Sequence, residues 1–189
     1  MRNLLTHSGL LVDLYNFKVD DVHLPDIAVA LSRQPRFNGH TKEFYSVAEH
    51  CILVSSGLNL MGCSLEIQLQ GLLHDAAEAY TGDLVYGMDK ERMGEFLDVE
   101  RGIESAIAER FGADYPFDPV VKEADLRVLA TERRDILPEQ ADPSAGVWSD
   151  GGTSEPFFFK AMGLHSAAAE ERYLLELESL VRRIDGKRY

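Results

Sequence analysis

The residues best suited to chemistry in this 189-residue chain are histidines and acids within apolar helical stretches. His74 and Asp75 are adjacent, and Glu78 lies one helical turn beyond His74. Residues four positions apart share a helix face, and apolar neighbours on both sides predict that this face is buried. Burying three ionisable groups together costs free energy unless a cation compensates their charges. Metal binding would remove that cost.

Two further residues strengthen the case for a metal ion. His74 alone would be interpreted as a hydrogen-bonded core histidine. His50, however, lies on the preceding apolar stretch, and Asp125 lies among apolar residues of a later one, where an acid requires a partner. These nitrogen and oxygen ligands suit one divalent transition metal ion, Mn²⁺, Co²⁺, Zn²⁺ or Fe²⁺. The predicted metal ligands are His50, His74, Asp75 and Asp125.

Hydrophobic spacing and helix end signals predict the elements that position these residues. Helices are expected over residues 24–34, 45–58, 64–82, 98–111, 118–137 and 166–184, with Gly57 ending the second. Residues 10–14 are expected to form a short extended arm near the N-terminus. The chain is therefore predicted to be a single all-α domain over residues 1–189, a helical bundle of about six main helices.

The composition excludes several classes of protein. Apolar residues make up 45% of the chain and charged residues 27%, which is typical of globular proteins and excludes a disordered chain. The 32 acidic and 19 basic residues give a net charge of −13, and this field repels nucleic-acid polymers and anionic membranes. The two cysteines lack CxxC spacing, and no signal peptide or apolar span is visible. These features predict an unanchored cytoplasmic protein.

Several regions are assigned no chemistry. Residues 139–154 are rich in glycine and proline and predict a long loop. Residues 132–135 have the sequence ERRD, and such mixed charges are typical of a solvated face or a subunit contact. Trp148 and the three phenylalanines at 157–159 flank the loop. They are expected to cover the open end of the domain or to contact a neighbouring subunit.

Three motifs resemble those of a known family. They are FYSVAEH over residues 44–50, LHDAAEAYTGD over residues 73–83 and VKEAD over residues 121–125. Their order, histidine, then histidine-aspartate, then aspartate, resembles the signature of the HD-domain metal phosphohydrolases over most of the chain. They are most similar to the branch that contains the small deoxyribonucleoside 5'-monophosphatases and the short dATP triphosphohydrolases. The motif RFNGH over residues 36–40 is similar to the latter.

The resemblance implies roles for two acids. Glu78 would be the general acid or base that acts on water activated by the metal, and Asp83 would position the substrate and its sugar. Physical reasoning agrees for Glu78, because a carboxylate one helical turn from a ligand can reach that water without binding the ion. The alternative for Glu78 is a partner that orients His74. The alternative for Asp83 is a turn or cap residue.

The phosphates of such a substrate require a cation. Arg36 is the preferred candidate, because a guanidinium pairs two phosphate oxygens, and Arg33 is its rival. The resemblance also implies a lysine at the phosphates, which would be Lys90, although the prolines that precede it in the family are missing here. Phe37 either stacks on a base or sugar or fills the core. His40 is interpreted as a loop residue.

The expected function is the hydrolysis of 2'-deoxynucleotide phosphates. The resemblance favours a deoxynucleoside triphosphate triphosphohydrolase, with dATP as the favoured substrate, that releases deoxynucleoside and triphosphate. The alternatives are a 5'-deoxyribonucleotidase acting on monophosphates and a non-catalytic, nucleotide-sensing HD domain. An additional Mg²⁺ with the substrate phosphates and a homo-oligomer, a dimer or larger, are also implied.

Overall fold

The structure is a computed structural model that describes residues 3–84, 93–142, 144 and 154–186. Its strands are β1 (Asn3–Leu5) and β2 (Leu11–Asp13); its helices are α1 (Leu24–Arg33), α2 (Val47–Leu60), α3 (Leu65–Leu73), α4 (Glu78–Thr81), α5 (Gly94–Phe111), α6 (Pro119–Asp135) and α7 (Ser166–Asp185). The predicted all-α class with about six main helices is confirmed, and α4 is an additional single turn. Among the described residues, no helix has both the length and the apolar character needed to cross a membrane.

Some predicted features lie outside the described residues. They include Lys90, Trp148 and most of the loop predicted over residues 139–154. The extended N-terminal arm is observed as β2, which pairs antiparallel with β1 and places Asn3 opposite Asp13. Val12 of β2 is buried in the core, so this hairpin lies against the helices.

Most helix ends agree with their sequence signals. Pro25 lies in the first turn of α1. The Asp118 side chain accepts a hydrogen bond from the Val120 amide before α6, and Gly112 ends α5 in the left-handed conformation, with φ of 68°. The predicted start of α5 at residue 98 is wrong, because the helix begins at Gly94.

The predicted stop at Gly57 is also wrong, since α2 continues through this residue to Leu60. Gly57 instead allows a close packing contact. A Cβ atom at this position would lie 2.6 Å from Cε2 of the Phe157 ring. The glycine therefore brings the segment after the long loop onto α2, and the buried Phe157 fills the space that a side chain would occupy.

The helix predicted over residues 64–82 is broken in the middle. α3 ends at Leu73, His74 is its C-terminal cap, and α4 begins at Glu78. The backbone between them is tightened, because the amide of Ala76 donates to the carbonyl of Leu73 and that of Glu78 to Asp75. The four-residue spacing of His74 and Glu78 therefore spans this turn rather than one continuous α-helix.

Helix α2 lies at the centre of the bundle, in contact with α1, α3, α6 and α7. Such a helix has apolar or small side chains on nearly all sides, and those of Val47, Ala48, Cys51 and Val54 are fully buried. Any polar side chain on α2 is therefore enclosed by neighbouring helices. His50 and Glu49 are the imidazole and the carboxylate of α2 in this position.

Glu49 attaches the segment that precedes α7 to this central helix. Its carboxylate accepts hydrogen bonds from three backbone amides, those of Met162 at 2.9 Å, Gly163 at 3.2 Å and Leu164 at 2.6 Å. Both carboxylate oxygens take part, and the residue is only 3% exposed. A carboxylate suits this place because every group facing it is a donor.

We expect Glu49→Gln to lower the free energy of unfolding by about 1–3 kcal/mol, because one amide donor would then face a backbone N–H and leave it unsatisfied. Urea denaturation of the variant and of wild type measures this loss. Glu171→Gln, which makes the same change at an exposed position of α7, should change stability by less than about 0.5 kcal/mol. Equal denaturation midpoints for wild type and Glu49→Gln would contradict this role.

Candidate metal centre

Three helices bring the predicted ligands to one place. His50 lies on α2, whose start is fixed by Ser46, the side chain of which accepts a hydrogen bond from the Glu49 amide. His74 and Asp75 lie in the turn between α3 and α4, and Asp125 lies on α6. Because α2 packs against both α3 and α6, the side chains from the two outer helices meet over His50.

The distances define a tight cluster. Nε2 of His50 lies 3.3 Å from Nε2 of His74, 3.2 Å from Oδ1 of Asp125 and 3.5 Å from Oδ2 of Asp75. Nε2 of His74 lies 3.3 Å from Oδ1 of Asp75. Ligand atoms of His50, His74 and Asp125 all lie within 4.8 Å of one another. This group could hold a metal ion.

A second, overlapping group consists of Cys51, His74 and Asp75. Cys51 was not among the predicted ligands. The thiol is fully buried, and burial, together with the charges of Asp75 and Glu78, raises its pKa well above the ordinary value. A protonated thiol is a weak ligand, so the donors that suit a cation best are the imidazoles and carboxylates.

The orientation of both imidazoles fits a metal ion. Nδ1 of His74 is 2.8 Å from the carbonyl oxygen of Gly71, and Nδ1 of His50 is 2.7 Å from Oε1 of Glu132. Both partners are acceptors, so each ring donates from Nδ1 and its Nε2 faces the cluster. The two Nε2 atoms lie 3.3 Å apart beside carboxylates. Their lone pairs would repel each other unless a proton or a cation lies between them. The donor set therefore fits a first-row divalent ion.

The charges around His50 favour a positive charge in the cluster. Burial and the nearby Arg36 lower the pKa of His50, but Glu132 and Asp125 outweigh them and raise it to about 9. Burial alone raises the pKa of Asp125, yet its hydrogen bond to His50 and the charges of both histidines hold it well below the ordinary value. Protonation of His50 at Nε2 and metal binding at the same atom therefore exclude each other.

Glu132 is a site residue that the sequence analysis missed. Its assignment to a solvated or subunit-contact face was wrong, because the side chain is 0% exposed and its Oε1 contacts both His50 and Arg36, the latter at 3.3 Å from Nε. Burial and the charge of Glu132 also raise the pKa of the enclosed Tyr45. The missed signal was spacing: Glu132 is two helical turns after Asp125 and shares its face.

A cavity of about 140 Å³ opens beside the cluster. Its lining consists of Arg36, Phe37, Asp75, Glu78, Asp83, Leu84, Lys122, Asp125, Leu126 and Leu129. Oε2 of Glu78 is buried and has no hydrogen-bond partner. Burial, followed by the charges of Asp75 and Asp83, raises the pKa of Glu78 well above its ordinary value. This carboxyl group is thus well placed to exchange a proton with a molecule in the cavity.

Asp83 lines the same cavity and is held there by Gln34, the residue that caps the end of α1. The side-chain oxygen of Gln34 accepts a hydrogen bond from the Asp83 amide at 2.6 Å, and its nitrogen donates to the Glu78 carbonyl at 3.1 Å. Gln34 thereby connects the two acids, a role that nothing in the local sequence indicated. Burial raises the pKa of Asp83, while Arg36 lowers it.

The predicted phosphate-binding residues differ in their positions. Arg36 is 12% exposed and its Nη1 donates to Oδ2 of Asp75 at 3.3 Å. Its rival Arg33 is exposed and is not among the residues that line the cavity. Phe37 lines the cavity and also packs beside Tyr45 in the core. The Phe37 backbone has a φ of 55°, a strained conformation for a bulky residue.

Two other basic or imidazole groups complete the description. Lys122, which the sequence analysis quoted only within a motif, lines the cavity and its Nζ lies 2.6 Å from Oδ2 of Asp125. His40 is exposed in the connection after Arg36–Gly39, consistent with its interpretation as a loop residue. Among the residues that the structure describes, Arg36 and Lys122 are the basic side chains that line this cavity.

The fold and the site together define an all-α protein with a histidine and aspartate cluster, able to hold a metal ion, beside a small acidic cavity. The chain is 32% identical over 138 residues to the uncharacterized protein RCAP_rcc00048 of Rhodobacter capsulatus, a match covering 68% of this chain and 70% of that protein. The chain belongs to the same family as this Rhodobacter protein.

A second relative is the uncharacterized protein YfdR of Escherichia coli K12, which is 40% identical over 117 residues. That match covers 62% of this chain and 62% of the length of YfdR. No family model matches the chain.

Proposed function

We propose that this chain is an HD-domain metal phosphohydrolase that hydrolyses phosphate esters or anhydrides of 2'-deoxynucleotides. The convergence of His50, His74 and Asp125 beside a cavity that also contains Glu78 and Arg36 is the observation that supports it. Asp75 completes the proposed ligand set, because its carboxylate contacts both histidines. These residues come from separate parts of the chain. Burying their imidazoles and carboxylates together costs free energy unless a cation compensates the charges.

The side chains divide the proposed reaction among them. A divalent ion in the cluster would polarise the phosphoryl oxygen and lower the pKa of water toward neutrality. Glu78 takes the proton from the attacking water as the water oxygen bonds to phosphorus, and returns that proton to the ester oxygen that leaves when its own bond to phosphorus breaks. Arg36 and Lys122, together with the predicted Lys90, which lies outside the described residues, neutralise the other phosphoryl oxygens as negative charge grows on them. Asp83, held by Gln34, positions the sugar.

The substrate class follows from the resemblance and from charge. The favoured substrate is a deoxynucleoside triphosphate, dATP above all, hydrolysed to deoxynucleoside and triphosphate. A triphosphate brings negative charge to a cavity that already contains Asp75, Glu78, Asp83 and Asp125. We therefore expect an additional Mg²⁺ to accompany the phosphates.

The size of the cavity favours a second candidate, a 5'-deoxyribonucleotidase. Its volume of about 140 Å³ is below the roughly 300–1,000 Å³ typical of pockets that enclose a whole small molecule. A single phosphoryl group fits such a space, with the nucleoside outside it. A nucleotide sensor without activity is the least favoured candidate, because the proposed ligands and Glu78 are all present.

A product assay separates these candidates. The purified protein is incubated with Mn²⁺, Co²⁺, Zn²⁺ or Mg²⁺ and with each deoxynucleotide and ribonucleotide, as monophosphate and as triphosphate. Deoxynucleoside plus triphosphate supports the triphosphohydrolase; deoxynucleoside plus phosphate from monophosphates alone supports the nucleotidase. Asp125→Ala, purified in parallel, measures contaminating phosphatases. Equal product from both proteins, or none from wild type with any metal, would refute the enzyme.

We expect Arg36→Lys to lower kcat/KM by roughly ten- to 100-fold, because a lysine retains the charge but loses the paired hydrogen bonds to phosphate. Steady-state kinetics with the best substrate measures this loss. Arg33→Lys is the matched control and should behave as wild type. Unchanged kinetics in a folded Arg36→Lys protein would exclude Arg36 from this role and leave the phosphate to Lys122, Lys90 or Arg33.

A further inference from the structure

We propose that Glu132 is a positioning residue that holds His50 and Arg36 in a single arrangement, so that the metal ligand and the phosphate-binding cation depend on the same buried carboxylate. One oxygen, Oε1, lies 2.7 Å from Nδ1 of His50 and 3.3 Å from Nε of Arg36. The side chain is fully buried, so water does not replace either contact.

The contact with His50 determines which ring nitrogen is available to a metal. Because the carboxylate is an acceptor only, Nδ1 of His50 must carry the hydrogen, and the lone pair of the neutral ring is then on Nε2. Nε2 is the atom that faces His74 and Asp125. A partner of this kind also limits rotation of the ring, which typically strengthens metal binding by ten- to 100-fold.

The contact with Arg36 extends the same arrangement to the substrate side. Nη1 of Arg36 donates a hydrogen bond to Asp75, and Nε of Arg36 lies 3.3 Å from Glu132 in an ion pair without a hydrogen bond. Asp75 in turn lies 3.5 Å from Nε2 of His50. The four side chains therefore form a closed ring of contacts, and displacement of Glu132 would disturb both the cluster and the cation that faces the cavity.

The burial of Glu132 is compatible with this role because Oε1 accepts a hydrogen bond from Nδ1 of His50 and lies at ion-pair distance from Nε of Arg36. An unpaired buried carboxylate would cost several kcal/mol, and a hydrophobic residue would suit the surrounding core better. The adjacent acid on α6, Asp135, illustrates the alternative: it accepts a hydrogen bond from the Ala161 amide and pairs with Arg134, away from the cluster. Asp135 therefore provides a matched comparison on the same helix.

This inference rests on the metal-binding part of the proposed function, and Co²⁺ binding tests it without substrate. The affinity for Co²⁺ is measured by calorimetry, and the visible absorption of bound Co²⁺ reports the ligand geometry. We expect Glu132→Gln to weaken binding about tenfold and Glu132→Leu about 100-fold, with an altered absorption band. Asp135→Asn, which removes the same charge from α6, should bind Co²⁺ as wild type does. Melting temperatures identify any general loss of stability.

Each outcome has a definite meaning. Wild-type Co²⁺ affinity in both Glu132 variants, or an equal loss in Asp135→Asn at a similar melting temperature, would overturn the role of Glu132 alone. A specific loss in the Glu132 variants of a protein that hydrolyses no nucleotide would support that role while refuting the proposed reaction. A wild-type protein that binds no Co²⁺ would overturn both.

Discussion

Replacing Glu78 with glutamine is expected to lower turnover of the best nucleotide substrate by roughly 10²–10⁴-fold while leaving metal binding intact, because a positioned general acid or base contributes about that factor. The amide has nearly the same size as the carboxyl group but cannot accept a proton. Glu78 is not part of the His50, His74 and Asp125 group, so its loss should not release the ion. Single-turnover kinetics and metal content measured on the same preparation test both parts.

The surroundings of the Glu78 carboxyl group allow this substitution to be interpreted. Its Oε2 has no hydrogen-bond partner, so the amide should disturb the fold less than a change at a paired acid would. Glu171→Gln, exposed on α7, is the control and should keep full turnover. Retained turnover in Glu78→Gln would exclude the general acid or base role. Loss of turnover together with loss of metal would favour the alternative, in which Glu78 orients His74.

The second large effect is expected at the ligands themselves. Asp125→Asn should lower metal affinity by more than about 100-fold, which exceeds the loss expected for a residue that only orients a ligand. It should also reduce turnover to background. Asp125 lies 3.2 Å from Nε2 of His50 and 2.6 Å from Nζ of Lys122. The substitution removes the negative charge that balances Lys122 and a metal ion bound at His50. His74→Ala should have the same consequence. Calorimetric titration with Mn²⁺ or Co²⁺ measures the affinity.

A matched change elsewhere separates ligand loss from general destabilisation. Asp114→Asn makes the same replacement at an exposed position between α5 and α6, and should bind metal as wild type does. Wild-type metal affinity in Asp125→Asn would mean that the ion lies elsewhere, or that Cys51, His74 and Asp75 hold it instead.

Much of the fold could be predicted because its signals are local. Pro25 at the start of α1, Asp118 before α6 and Gly112 after α5 each act on backbone groups within one turn. The all-α class follows from such signals together with the spacing of apolar residues. The same reasoning fails where residues distant in sequence determine the local structure. Glycine often ends a helix, but the Phe157 ring packs against Gly57 and α2 continues through it.

The candidate site divides in the same way. The sequence by itself determined the types of side chain that could bind a metal, His50, His74, Asp75 and Asp125, because buried histidines and acids stand out against apolar neighbours. Only the tertiary structure decided that these four meet, that a turn interrupts the helix between His74 and Glu78, and that Glu132 faces inward. The physical reason is the distance along the chain between the residues that interact. Periodicity reports which face of a helix is buried, whereas the partner on that face comes from residues dozens of positions away, brought there by packing.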